Sequence, residues 1–571
     1  MKPLPHEHAR LVERAIRAAQ AAGDLPPFEM PAIEIRPPKR SDQGDYATAV
    51  ALQSAKLAAM NPFDLATIIS RHLPSAEFVG AVEVIKPGFI NFRLSEDWLR
   101  AQVETIIAQG DQLFQLDLGA GQRAQVEFVS ANPSGPLTVG RSRGAVVGDA
   151  TARVLEAAGY VVEREYYFNN AGAQMVNLGN SLRLRYLQAL GLPVTIPDPE
   201  DMSFYRGDYL IDFARDLVNE QGDALANADW QPFKAYAERR MFDWIRATLA
   251  RVNIRHDIFF NENTLYDTGA VWKTLDALQA RGYVYRSPLA ESASEEERRD
   301  AGGKGEAVWF RSTALGDEKD RVMVKSDGTP TYTLPDIAYH VNKLERGFDL
   351  LVNILGADHG AQHKVVKYGL QALDMDVSRI HVIIVQMVRT VRDGKEVRMS
   401  TRRGIYDTLD DLIDQTSPDV VRYMLLARSP NSHLDFDLDL AVRQSNDNPV
   451  YYIQNAHVRC AGILREAAAR GLADDGADLS LLGETELRFV RKALELGEVI
   501  ELAATHLEAH RVAFYALELA TLFHPIYDSV RALHSDVPPN VARARLRFYR
   551  AAQIVFRRVL TLMGMSAPER M

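Results

Sequence analysis

The 571-residue chain reads as an α/β protein with a doubly wound parallel sheet as its core, a smaller N-terminal α/β region and an all-helical C-terminal region. Three observations predict this. A βαβ pattern begins near residue 122, with a strand over Gln125–Val129, a helix over Ser142–Ala158 and a strand over Val161–Phe168. Sheet-like apolar runs return at Leu350–Leu355 and Ile380–Val388. From about 407 strand signals nearly vanish, and amphipathic stretches such as Val450–Gly471 and Glu484–Ala509 take over.

The length exceeds what one core supports, so three or more domains are expected. Hydrophobic residues at 47% and charged residues at 25% are those of an ordinary globular chain. The single cysteine, Cys460, excludes a disulfide framework or a cysteine-built zinc site and points to a reducing compartment, the cytoplasm. The first 23 residues lack the apolar core of a signal peptide, and no apolar run approaches membrane length. A net charge of −10 argues against nucleic acid when taken alone. Local basic concentration, as over Arg392–Arg403, weighs more for a protein of this size.

Along the N-terminal region a helix is expected over Glu7–Ala22 and a strand over Ala32–Arg36. Gly44-Asp45-Tyr46-Ala47-Thr48 is expected to open a helix capped by Asp45, and Val82–Leu94 to form two strands around a Pro-Gly turn. A long helical insertion is expected from about Ala171 to Gly282, and a mobile surface loop over Ser292–Glu306. The expected boundaries are 1–115, 116–405 with the insertion at about 171–282, a connecting stem at 406–445 and a helical domain at 446–571.

The most informative segment is Val126–Gly144: a buried strand, a Pro/Gly-rich turn (Asn132-Pro133-Ser134-Gly135-Pro136) and a helix start. Glycines there let backbone approach a ligand, and free N–H groups at a helix start attract phosphate. Arg141 and Arg143 add charge. The wording resembles the first ATP-binding motif of class I aminoacyl-tRNA synthetases in the form used by arginyl-tRNA synthetases. That family usually writes Ala-Asn-Pro-Thr-Gly-Pro-Leu-His-Val-Gly-His; here Thr138 and Arg141 replace both histidines. A second segment, Val397-Arg398-Met399-Ser400-Thr401-Arg402-Arg403-Gly404, resembles the Lys-Met-Ser-Lys loop of the same class, with Arg398 and Thr401 in place of the lysines. Amino-acid activation concentrates negative charge on phosphate, and mobile cations stabilise it. A solvated basic hairpin is the alternative for that run.

The resemblance extends in order from Gly44 to Met571. It implies a class I, Rossmann-like catalytic core, an N-terminal domain that touches the tRNA elbow and a helical anticodon-binding domain. It implies arginine–tRNA ligation: L-arginine and ATP form arginyl-adenylate and pyrophosphate, and arginine passes to the 3′ end of its tRNA. ATP comes with Mg²⁺ as substrate, tRNA is needed even for activation, no tightly bound cofactor is implied, and monomer is the family expectation.

By the resemblance, Arg141, Arg398, Ser400 and Arg402 are catalytic. Pro136, Thr138, Gly140, Arg143, Gly144, His359 and Met399, with Arg141, Arg398 and Ser400, bind ATP. A guanidinium calls for carboxylate partners: Asp336 and Glu127 are expected to face it, with Tyr332 beside the guanidinium, and Ser130, Asn132 and Gln174 near the rest of arginine. Asn455 and Tyr527 are expected near the anticodon.

Other readings accompany these. Asp336 suits a helix cap, Glu127 a surface strand position, Tyr527 core packing, and Arg141 a pairing with Asp149. Asp358, His359 and His363 form no convincing ligand set, so no metal site is expected. A paralogue with a non-tRNA acceptor, or an inactive tRNA-binding protein, would also carry the altered motifs. Retained glycines at 135, 140 and 144 oppose decay.

Overall fold

The computed structural model describes residues 3–198, 200–201, 203–291, 305–357, 360–397 and 408–571. Most of the expected 292–306 loop, Asp358, His359 and residues 398–407 lie outside these. The chain divides into two compact units, Met1–Leu118 with Gln444–Met571, and Gly119–Arg443.

The first unit begins with α1 (Leu4–Ala22), β1 (Ile35–Arg36), β2 (Tyr46–Thr48), α2 (Val50–Ser54), α3 (Pro62–Arg71), β3 (Val79–Ile85), β4 (Phe89–Leu94) and α4 (Glu96–Gln109). The strands form an antiparallel sheet in the order β1-β2-β4-β3. α1 buries Leu4, Leu11, Val12, Ala15, Ile16 and Ala19, the stripe its helical spacing predicts. The helix expected to open at Gly44 is a correction. Tyr46 and Thr48 alternate into the core as a strand paired with β4, and Asp45 accepts the Leu94 N–H at 2.7 Å instead of capping a helix.

The second unit opens with β5 (Arg123–Glu127), α5 (Val139–Ala157), β6 (Val161–Phe168), α6 (Ala173–Ala189), α7 (Tyr209–Gln221), α8 (Trp230–Arg251) and β7 (Ile258–Asn261). Then come α9 (Asn263–Asp267), α10 (Ala270–Ala280), β8 (Val284–Ser287), β9 (Ala307–Phe310), β10 (Arg321–Val324), α11 (Thr333–Glu345), β11 (Leu350–Gly356), α12 (Gly360–Ala372) and β12 (Ile380–Val385). It ends with β13 (Val388–Arg392), β14 (Lys395–Glu396), α13 (Leu409–Gln415), α14 (Pro418–Leu426), β15 (Leu434–Asp437) and α15 (Leu438–Ala441).

The core is a five-stranded parallel sheet ordered β12-β11-β5-β6-β7. From β5 the chain builds outward through β6 and β7, then returns to the other side of β5 with β11. The carboxyl ends of β5 and β11 therefore flank a topological switch point, where such sheets bind ligands. Two expectations are corrected. The insertion is not wholly helical, because Ile258–Asn261 pairs with Glu165–Phe168 as the sheet's edge strand. Strands also do not stop at 407: β15 pairs in parallel with β13. Both are four-residue strands, too short for periodicity to reveal.

Two fully buried arginines hold α5 in place. Arg143 donates to the carbonyls of Gln386 (3.1 Å), Ser432 (2.6 Å) and Ser429 (2.8 Å). Arg422 of α14 binds Asp149 of α5 at 2.5 Å, and Arg153 binds the same carboxylate at 2.7 Å. Gly148 lets α5 lie directly on Phe128, since a Cβ there would fall 2.3 Å from that ring.

The first unit resumes with α16 (Pro449–Ala469), α17 (Glu484–Leu494), α18 (Leu496–His506), α19 (His510–Ser529) and α20 (Pro539–Leu562). Its two sequence segments interlock: Arg547 of α20 pairs with Glu104 of α4 at 2.5 Å, Arg557 with Asp111 at 2.7 Å, and Arg558 donates to Leu113 O at 2.9 Å. Among the described residues no helix is long and apolar enough to cross a membrane.

Arg143→Met strands three interior carbonyls. At about 1 kcal/mol or more each, the urea unfolding free energy of the second unit should fall by about 3 kcal/mol; an unchanged midpoint would contradict this anchoring role. Removing residues 1–118 strips α20 of Glu104, Asp111 and Leu113, so the remaining C-terminal helices should unfold separately and at lower urea than in the intact chain. A single unshifted transition would show the segments to be independent.

Candidate functional site

The site starts where β5 leaves the sheet. Val129 (φ 70°) and Ser130 (φ 43°) both occupy the left-handed region, a strained choice for non-glycine residues and most of all for a β-branched one. The bend turns Ser130 back: its hydroxyl donates to Glu127 Oε1 at 2.9 Å and accepts the Tyr167 N–H at 3.2 Å. Asn132 is held from both ends, accepting the Asn169 N–H at 3.0 Å and donating to Gln174 Oε1 at 3.1 Å. Thr138 is the N-cap residue of α5, but its hydroxyl caps nothing.

A pocket of about 250 Å³ opens over this turn, lined by Asn132, Gly135, Pro136, Thr138, Arg141 and Gln174, with Tyr205 and Tyr209 from the insertion as its far wall. Gly140 and Gly144 have room for a Cβ, with nearest atoms at 4.0 and 3.8 Å, so helix packing does not require them. Arg141 is exposed at the pocket. Its alternative partner, Asp149, is buried and already held by Arg422 and Arg153, with Arg164 at 3.7 Å. Arg143 is a correction: its guanidinium is used up on three carbonyls inside the protein and does not line the pocket.

Behind the turn, at the switch point, lies a group of buried carboxyls. Asp336 sits in the first turn of α11, part-buried, and accepts from Gln362 Nε2. Burial, with Glu262 and Glu127 nearby, raises it to about 7. It is not a helix cap; Tyr332 holds that position. Glu262 is also buried, accepting from Tyr167 Oη at 2.5 Å and Asn169 Nδ2 at 2.8 Å, and burial raises it above the ordinary carboxylate value. Glu127 is interior rather than a surface strand residue, and its Oε2 meets Lys343 Nζ at 2.5 Å.

Tyr332 is 78% exposed. Burial packs its neighbours Leu334 and Ile337 inward, leaving Tyr332 at the solvent-facing start of α11. His363 is buried, its ring 5.5 Å from that of His340, and burial lowers it to about 4. Sequence reading missed Glu262, Gln362 and Lys343. Only Lys343 had a signal, two helical turns from Asp336.

His359 and the motif residues Arg398, Met399, Ser400 and Arg402 lie outside the described residues. In the first unit, Asn455 is part-exposed on α16. Tyr527 packs near Phe523 and Tyr549 with the Arg459 guanidinium 4.7 Å over its ring, so packing occupies much of it.

Three family models match the chain: the arginyl tRNA synthetase N terminal domain over residues 7–94, the tRNA synthetases class I (R) catalytic domain over 102–426, and the DALR anticodon binding domain over 453–571. The arginine–tRNA ligase of Desulforamulus reducens is 41% identical over 99% of this chain and 98% of its own length. That of Salinibacter ruber is 42% identical over 97% and 98%. Among solved structures, a putative arginyl-tRNA synthetase from Campylobacter jejuni is 29% identical with a TM-score of 0.74, covering 84% of this chain and all of that one. The Thermus thermophilus arginyl-tRNA synthetase, at 20% identity and a TM-score of 0.73 over 99% of this chain and all of that one, shares the fold. With its switch-point pocket, its nucleotide turn and these full-length likenesses, the chain belongs to the arginyl-tRNA synthetase family of class I aminoacyl-tRNA synthetases.

Proposed function

We propose that the chain is an arginine–tRNA ligase that activates L-arginine with ATP and passes it to the 3′ end of arginine tRNA. The observation that carries this reading is the group of buried carboxyls, Asp336, Glu262 and Glu127, set beside a turn suited to phosphate. A fixed, hydrogen-bonded set of anions at a sheet's switch point matches a planar cation.

In this reading the guanidinium enters among the carboxyls, and Ser130, Asn132 and Gln174 sit toward the α-amino and carboxylate end. ATP, with its Mg²⁺ as part of the substrate, lies over Pro136, Thr138, Gly140 and Gly144. The arginine carboxylate attacks the α-phosphate and pyrophosphate leaves. Arg141 donates to the phosphate oxygens as charge builds, with Arg398, Ser400 and Arg402 from the second motif, and Met399 and His359 complete the nucleotide site. A ribose hydroxyl at the tRNA end then attacks the adenylate carbonyl and releases AMP. The tRNA requirement for activation, anticodon contacts near Asn455 and Tyr527, a monomeric state and a cytoplasmic location belong to the same proposal. A single, buried cysteine, Cys460, fits a reducing compartment.

Two measurements test it. Because burial, with Glu262 and Glu127 nearby, holds Asp336 near 7, well above its unfolded value, Asp336 is protonated at low pH and must lose its proton to meet a guanidinium. Its contribution to stability is present in acid and is lost as pH rises through about 7. Arginine affinity should move the other way, rising about tenfold per pH unit toward 7 and flattening above it. Asp336→Asn should flatten the profile and weaken arginine binding by about 1.5–3 kcal/mol while leaving ATP binding intact. Calorimetric titration with arginine checks both, and an unaltered arginine affinity would remove Asp336 from the pocket.

The second concerns Arg141. Arg141→Ala should lower arginine-dependent pyrophosphate exchange, with tRNA present, by about 10²-fold or more at saturating ATP. Thermal melts normalise for folded protein. Exchange at the wild-type rate would end its catalytic assignment, and the absence of any arginine-dependent exchange in the unmodified protein would favour an inactive tRNA binder.

A further inference from the structure

A pocket for a cation holds a resident cation. Lys343 is fully buried on α11, two turns from Asp336. A buried ammonium survives only where partners compensate its lost hydration. Its Nζ lies 2.5 Å from Glu127 Oε2 and 2.8 Å from Asn353 Oδ1, and 4.4 Å over the Tyr339 ring.

These contacts are fixed by a chain of hydrogen bonds. Asn353 stands opposite Glu127 in the β5–β11 register. Its Nδ2 lies 2.8 Å from His340 Nε2, so that nitrogen must accept. His340 Nδ1 then carries the proton and donates to Asp336 O at 2.8 Å. Burial lowers His340 far below neutrality, which keeps this neutral tautomer. The amide of Asn353 therefore turns its oxygen to Lys343, and Lys343 has one place to sit. Ser130 takes one oxygen of Glu127 and Lys343 the other, which leaves about two of the four lone-pair sites of the carboxylate for a ligand.

We propose that Lys343 is the resident counter-ion of the arginine pocket: it holds Glu127 as a carboxylate before arginine arrives, and it acts on arginine only through Glu127. This rests on the arginine pocket assigned above. Lys343 is thus a positioning residue whose charge is matched to one carboxyl and leaves Asp336 and Glu262 to the substrate. Without it, three enclosed carboxyls would face one another with no cation, and they could not all ionise.

Among the described residues, the other titratable groups around the pocket each have a partner or stay neutral. Glu165 of β6 is bound by Tyr339 and Arg346. Tyr167, Tyr266 and Tyr339 are raised by burial and stay neutral. His363 of α12 is lowered to about 4 and uncharged near neutrality. Lys367 of α12 donates to Ile380 O.

The test compares Lys343→Met, Glu127→Gln and the double variant in the full-length protein by calorimetric titration with L-arginine between pH 5.5 and 8.5. Glu127→Gln alone leaves an uncompensated ammonium beside the guanidinium, so affinity at pH 8 should fall by about 100-fold or more; removing Lys343 as well should recover at least about tenfold of that. A double variant that binds no better than Glu127→Gln would overturn the inference, because a merely structural lysine adds its loss to the first. In Lys343→Met, arginine binding should release about one more proton below pH 7 than in the unmodified protein, and the double variant should lose that extra proton. Unchanged proton release in a folded Lys343→Met protein would also overturn it. Should Lys343→Met not fold, the comparison of Glu127→Gln with the double variant decides alone. If neither Asp336→Asn nor Glu127→Gln alters arginine affinity, the pocket assignment itself fails; if both weaken it and the double shows no rescue, only the role of Lys343 fails.

Discussion

Carboxyls kept out of water before their ligand arrives are the constraint around which the catalytic unit is arranged. An isolated buried carboxylate is too costly to keep. Each of the three is answered differently here. Glu127 has an ammonium, Glu262 has a phenol and an amide as donors, and Asp336 has one amide donor and a proton that it holds to about 7. The gradient matters for selection. A neutral isostere of arginine offers no charge to offset Asp336, so the cost of ionising that residue remains.

The second constraint is rigidity under the phosphate-facing turn. α5 is fixed by Arg143 to three carbonyls and by Asp149 to Arg422, and it rests on Phe128 through Gly148. With those arginines committed to the frame, Arg141 is the cation of the helix start that is left at the pocket. The exit of the second motif is tied to the same turn, since Leu409 N donates to Leu137 O at 2.8 Å and Thr408 bridges Thr138. Thr408 in turn closes a capping box with Asp411. The Trp244 and Thr248 side chains both donate to Asp410, which ties α8 of the insertion to α13.

Much of the architecture was legible because it rests on long periodic runs. The βαβ unit at 123–168, the apolar strands β11 and β12 and the C-terminal helices are cases where local pattern and tertiary role agree. The failures have physical causes. Tyr46–Thr48 became a strand because β4 offered it a partner 42 to 46 residues away, which no local signal carries. β7 and β15 were too short to announce themselves. Around the proposed site, Asp336, Glu127, Asn132 and Gln174 were named through motif wording. Glu262 comes from a polar stretch, Asn261-Glu262-Asn263, that looks like any turn, and only the sheet's edge strand brings it to the pocket. Arg143 was misassigned because sequence shows two arginines one residue apart and not that a helix aims them in different directions.

The strained exit from β5 joins these threads. A non-glycine residue in the left-handed region costs about 1–3 kcal/mol, and Val129 and Ser130 do this in succession. Glycine at either position would relieve the strain. At Ser130 it would also remove the hydroxyl that links Glu127 to the Tyr167 N–H, and with it a contact between β5 and β6 at the pocket floor. At Val129 it would free the backbone to leave the sheet in several directions, and Asn132 would no longer be delivered reliably to Asn169 and Gln174. The strain is thus the cost of a single defined path from strand to nucleotide turn. That path sets the Glu127 carboxylate and an open helix start within a dozen residues of each other, so in the proposed function one short stretch of backbone aligns arginine and ATP.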